Sequence, residues 1–148
     1  MLSISHGLSG ALLATKLSHP LLFIPACFAI HYLEDWIPHW DVGTGLSTGK
    51  RKKSSAIIME LVELAITIGL IVLFWKPSGT ATLELAAAGA FCALLPDFME
   101  APKNFLHWDP FFLKPFNDFH HHFHHSTPHF WLGIAPQIVT VITVFLLK

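Results

Sequence analysis

Charge is scarce in this sequence. Only 13% of its 148 residues are Asp, Glu, Lys or Arg, and the net charge is −1. A chain so poor in charge and 53% hydrophobic cannot clothe an ordinary small soluble domain in water-facing side chains. It also lacks the basic surface that nucleic acid demands, so no nucleic-acid partner is expected. Cysteine is equally sparse. Cys27 and Cys92 each sit inside an apolar run, which excludes a disulfide framework or zinc knuckle and makes both small buried hydrophobes. No Gly-x-Ser-x-Gly motif occurs, so nothing points to a covalent serine enzyme. The first residues carry no basic stretch and Lys16 interrupts the apolar run they open, so no cleaved signal peptide is expected.

What is present is a series of apolar segments: Ser3–Leu17, Pro20–Ile37, Ser54–Trp75, Thr80–Leu95 and His129–Leu147. The third is the clearest span, following Lys50–Lys53 and stopping before Pro77 and Gly79. The first is short, and its Gly7, Gly10, Ala11 and Ala14 permit close approach of a neighbouring helix. The fourth is expected to stop at Pro96. Several fall short of the roughly 20 residues that cross a bilayer alone. The expected fold is therefore all-α, a single integral membrane domain over residues 1–148. It is a helical bundle of four to five short helices whose partner is the lipid bilayer. A soluble bundle is set aside because Ile66–Trp75 and Val139–Leu147 show no alternation of faces.

The polar residues are sorted by end. Lys50, Arg51, Lys52 and Lys53 form the one basic cluster, which predicts that the loop Pro38–Lys53 is cytoplasmic in a multi-pass protein of the cell membrane. Threading the segments from there brings His6, His31, Asp35, His39, Asp41, Glu60, Glu63, Asp97, Glu100 and the run His120–His125 to that same side. Only His19 among the histidines and Glu84 among the acids fall on the other. Imidazoles and carboxylates at the edge of a bilayer are costly, and they are the usual ligands of a divalent metal.

His31 and Asp35 are four residues apart, which places both on one helix face. Together they can bind one ion, or Asp35 can orient the imidazole. Glu34 falls on a different face and is left out. Asp97 follows Leu94-Leu95-Pro96 directly, a depth at which a carboxylate needs a partner or a cation. In the run Phe119–Ser126, His121 and His125 share a helical face, as do His120 and His124; such a pair is a good zinc-binding geometry. The metal set expected is His6, His31, Asp35, Asp97, His121 and His125. The metal expected is zinc, with manganese and iron as alternatives that accept the same mixed nitrogen and oxygen donors. Glu63, flanked by Val62 and Leu64, and His39 are the candidates for moving a proton. Trp40 and Trp108 can equally be interfacial anchors, and Pro38 and Pro96 ordinary helix stops.

These motifs resemble those of small bacterial and archaeal membrane-bound metal-dependent hydrolases. Ser5-His6-Gly7 looks like that family's opening motif, His31-Tyr-Leu-Glu-Asp35 like its His/Asp pair, Leu95-Pro-Asp97 or Ile37-Pro-His-Trp-Asp41 like its acidic motif, and His120 to Ser126 like its histidine motif. Here the His/Asp pair precedes Leu-Pro-Asp, and His121-His122 stands where the family has Arg-Gly. The resemblance implies hydrolysis by metal-activated water. The membrane-edge location suits an amphiphilic substrate, a lipid or phosphoester whose head reaches the metal while its tail stays in lipid. The alternative is a non-catalytic metal-binding protein, or a metal or proton transporter using Glu60, Glu63 and Gln137 beside Pro136.

Overall fold

A short helix of small residues forms the centre of the molecule. In the computed structural model, which describes all 148 residues, α1 (Ser3–Leu17) packs against α2 (Pro20–Trp36), α3 (Lys53–Trp75), α4 (Thr80–Leu106) and α6 (Phe130–Leu147). A 3-10 turn, Lys76–Ser78, joins α3 to α4, and a separate α5 spans Lys114–Phe123. Gly10 is what lets α1 sit so deep. A Cβ there would strike the Gly89 carbonyl and the Ala93 side chain, and one at Gly89 would strike Gly10 and Ala14. Two glycines facing each other bring the α1 and α4 backbones into contact, as small residues do between membrane helices.

There are six helices, not four or five. The five apolar segments became α1, α2, α3, α4 and α6. The addition, α5, comes from the polar histidine-rich stretch, which hydropathy cannot register as a span. Nor does the fourth helix stop at Pro96: it runs through Pro96 and Pro102 to Leu106. An interior proline removes one backbone hydrogen bond and usually costs ~3 kcal/mol. Here α4 is gripped by α1, α2 and α5 on its way, so packing carries the helix past a local stop signal.

The distribution of polarity is inside-out. Buried polar and charged residues are nearly as numerous as buried apolar ones, whereas Ile58, Leu61, Ile68, Leu73, Val139, Ile142 and Leu146 lie on the outside. Three helices are long and apolar enough to cross a membrane: α3 with its 3-10 turn, α4 and α6. At 15 residues, α1 rises about 22 Å, less than the ~30 Å hydrocarbon core.

The starts of α1, α3 and α6, the ends of α2 and α4, and all of α5 share one end of the bundle, where the buried histidines and carboxylates are. The other half is closed by an apolar core that includes Leu8, Ile71, Trp75, Ala86 and Val144.

Candidate metal centre

Asp35 is the residue around which the polar end is organised. It lies in the last turn of α2, fully buried, with one oxygen toward each of two groups of donors. The first group is His31, Asp35, Asp97 and His120, whose donor atoms all lie within 4.8 Å of one another. His120 Nε2 is 2.9 Å from Asp35 Oδ2, 3.2 Å from His31 Nε2 and 3.5 Å from Asp97 Oδ1. His31 Nε2 is 3.5 Å from Asp35 Oδ2 and 3.9 Å from Asp97 Oδ1. A tetrahedral ion with ligands about 2.0–2.1 Å away separates its donors by roughly 3.3–3.4 Å. The observed edges bracket that value, and the donor set, two imidazole nitrogens and two carboxylate oxygens, suits a divalent cation.

The orientation of His31 fits the same purpose. Its Nδ1 donates to the Ala93 carbonyl at 2.7 Å, which turns the Nε2 lone pair of the neutral ring toward the carboxylates. Behind His120, Nδ1 faces Glu100 Oε2 at 3.4 Å. Burial alone would lower the pKa of His120. The hydrogen bond to Asp35 and the facing carboxylates of Glu100 and Asp97 outweigh it and raise the value to about 10. Without an ion, the positive charge facing these carboxylates comes from a proton on His120 and from the Met1 amino group beside Asp35.

The second group is Asp35, His39 and His124. His39 Nε2 lies 3.6 Å from Asp35 Oδ1 and 3.2 Å from His124 Nε2. Asp41 Oδ2 is 3.5 Å from His39 Nε2 and 3.4 Å from His124 Nε2. Burial lowers His124 to about 4, which keeps its ring neutral. Burial acts to raise the Asp41 carboxyl, but the facing His39 and His124 rings hold it below its ordinary value.

Two local structures set these positions. Tyr32 packs edge-on against Phe119 at 4.9 Å and lies 5.4 Å from Phe123, which docks α5 on α2 with Asn117 and His120 buried. After α5 the chain is extended and pairs with the end of α2. His125 N–H donates to the Asp35 carbonyl, His39 N–H to the His125 carbonyl, and Thr127 N–H to the His39 carbonyl. That pairing carries His124 to His39. Gln137 of α6 braces the same segment. It donates to the Trp40 carbonyl at 2.6 Å and accepts the Leu2 N–H at 2.8 Å. Gly133 is in backbone contact there too, leaving no room for a Cβ against His39 and Trp40.

Of the residues singled out in the sequence, His31, Asp35 and Asp97 come together, and His39 stands in the second group. His6 is fully buried beside them, its Nε2 3.1 Å from Asp35 Oδ1 and its Nδ1 2.8 Å from Glu34 Oε2. The Met1 amino group also contacts Asp35 and His6. His121 and His125 are exposed and belong to neither group; His120 and His124 point inward in their place. The i, i+4 spacing named both pairs, and the docking of α5 through Tyr32 chose between them. Glu34, left out for its helix face, is buried because α1 crosses α2 on that side, where Ser9 hydroxyl also donates to it. Asp41, in the turn after α2, faces both rings of the second group. Glu63 is buried, accepts the Ser3 N–H at 3.2 Å and lines a cavity rather than joining either group.

That cavity has a volume of about 790 Å³. Asp41, Asp97, Glu100, His121 and His124 line its polar side, and Ile57, Leu61, Leu64, Phe98 and Phe105 its apolar side. Ile57, Leu61 and Phe98 also lie on the outer apolar surface of α3 and α4. Comparison with protein-family models, curated proteins and solved structures finds no match, so the chemistry rests on this geometry.

Proposed function

We propose that this protein is a membrane-embedded metal-dependent hydrolase acting on an amphiphile, a phospholipid or other lipid phosphoester, at the cytoplasmic face. The reading keeps the resemblance to small membrane-bound metal-dependent hydrolases. The observation that carries it is the two-sided cavity: donors from both buried groups on one wall and an apolar wall that reaches the outer surface of α3 and α4.

In this reading His31, Asp35, Asp97 and His120 hold a divalent ion, zinc or manganese by donor type. Such an ion supplies a Lewis acid and an acidified water at neutral pH. The chain's own residues do the rest. The Ala93 carbonyl fixes the His31 tautomer, and Glu100 stands behind His120. Glu63, on the cavity wall, would be the carboxylate to accept a proton there. His39, the other residue expected to move a proton, serves better as a donor in the second group. Ile57, Leu61 and Leu64 seat the substrate's hydrocarbon chain. The basic run Lys50–Lys53 next to the cavity end of α3 supports the cytoplasmic orientation.

Transport is the weaker reading, because the apolar core of Leu8, Ile71, Trp75 and Val144 lies between the polar cluster and the far end and offers an ion no path. The test is turnover by the purified full-length protein, loaded with zinc or manganese, on lipid and phosphoester panels. Head-group or phosphate release is expected from the wild type and not from the Asp35→Ala, Asp97→Ala double variant. Release that persists in the double variant sinks the mechanism. A fully loaded protein inert across the panels is a binding protein instead.

A further inference from the structure

We propose that the centre takes two ions: a second divalent cation is held by Asp35, His39, Asp41 and His124, with Asp35 bridging the two through its separate oxygens. This inference shares its first ion with the reading above but needs no hydrolysis.

The second set has the same composition as the first, two imidazoles and two carboxylates. Asp35, His39 and His124 lie within 4.8 Å of one another, and Asp41 joins them through the two imidazoles. Four of the six edges run from 3.2 Å between the two Nε2 atoms to 3.6 Å between His39 and Asp35, close to the roughly 3.3–3.4 Å of a tetrahedral ion. His39 Nδ1 is committed to the Ile37 carbonyl at 2.9 Å. In the neutral ring this leaves the Nε2 lone pair aimed at His124 and at the Asp35 and Asp41 carboxylates, so it has no proton to give either carboxylate. The independent sign is Asp41 Oδ2. It is buried, has no hydrogen-bond partner, and points at both imidazoles. A buried carboxylate oxygen left bare is costly, and a cation between these four atoms satisfies it.

Asp35 makes the two sites one centre. Oδ2 faces His31 and His120, and Oδ1 faces His39 alongside His6 and the Met1 amino group, which a second ion would have to displace. Ions on the two oxygens of a single carboxylate sit a few Å apart, in the range of the ~3.5–4 Å spacing of two-metal hydrolytic sites. Both sites reach the cavity, the first through Asp97 and the second through Asp41 and His124, so one bound head group can touch both ions.

The experiment loads the full-length protein in detergent with manganese alone and reads bound metal by elemental analysis and electron paramagnetic resonance. Two ions per chain are expected, with the broadened spectrum of an exchange-coupled pair. Asp41→Asn with His124→Ala should leave one ion and an uncoupled six-line signal. One ion per wild-type chain at saturation overturns the proposal, as do two uncoupled ions, or two ions retained by the double variant. The coupling measurement needs only wild-type protein, so it decides the matter even if the double variant fails to fold. No arm depends on turnover, so an inert protein with two coupled ions refutes hydrolysis and leaves this inference standing.

Discussion

A carboxylate has two oxygens, and Asp35 uses both. Its Oδ2 accepts from His120 at 2.9 Å and its Oδ1 faces His39 and His6. Buried charges persist only where they are paired, and this one is paired on every side. The His120 contact has a consequence for ion binding. An imidazole that donates Nε2–H to Asp35 must give up that proton before the nitrogen can bind an ion. Binding is therefore expected to release at least one proton per chain at neutral pH, and affinity to fall as pH is lowered. Calorimetric titration of zinc in two buffers of different ionisation enthalpy measures the count directly. An enthalpy that is the same in both buffers would show that His120 keeps its proton. Replacing His121, which is exposed and belongs to neither donor group, should leave the titration unchanged, whereas His120→Ala should weaken binding at least 10-fold, a loss no smaller than that from removing an outer-shell partner.

Among the elements, the crossing of α1 and α4 carries the site. Gly10 and Gly89 bring the backbones together, and Ala93, beside that contact, offers the carbonyl that orients His31. Gly10→Ala pushes its methyl group into the Gly89 carbonyl and Ala93. Overpacking of this kind usually costs about 1–3 kcal/mol, and any retreat of α4 also moves the His31 acceptor. Lower thermal stability together with weaker metal binding is expected. Gly69→Ala is the control: nothing lies within 4 Å of its Cβ, and a helix gains up to ~1 kcal/mol from that exchange. Equal melting temperatures for the two variants would mean that the α1–α4 contact yields easily. Gln137 acts at the same scale, tying α6 to Trp40 and to the start of α1. Gln137→Ala should weaken binding of the second ion by loosening the His39–Asp41 segment it braces, with helical content unchanged by circular dichroism.

At the scale of the whole molecule, polar groups are gathered at one end and apolar surface faces outward along α3, α4 and α6. This sidedness predicts a topology. In a background with Cys27 and Cys92 replaced, Thr48→Cys in the loop before α3 and Ser78→Cys in the turn after it should react with impermeant reagents from opposite sides of the membrane. Both residues are exposed. Labelling of both from one side would remove the transmembrane reading of α3 and with it the lipid-facing entrance to the cavity.

Much of this was legible in the amino-acid order. Hydropathy located five of the six helices, because long apolar runs such as Ile66–Trp75 have few alternatives. The spacing of His31 and Asp35 placed them on one face, and threading the spans from the basic cluster gathered the acids and histidines at one end. These are properties of neighbours in sequence, set by helical period and by the cost of burying charge. Which histidines turn inward was not legible, since the pairs 120/124 and 121/125 have identical spacing; the packing of Phe119 and Phe123 on Tyr32 decides it. Nor was the role of Glu34, which is buried only because α1 crosses α2 there, nor the run of α4 through two prolines, nor the pairing of residues 125–127 with 35–39. Each depends on contacts between segments distant in the chain, and local preference carries no information about which distant surface will cover a given face.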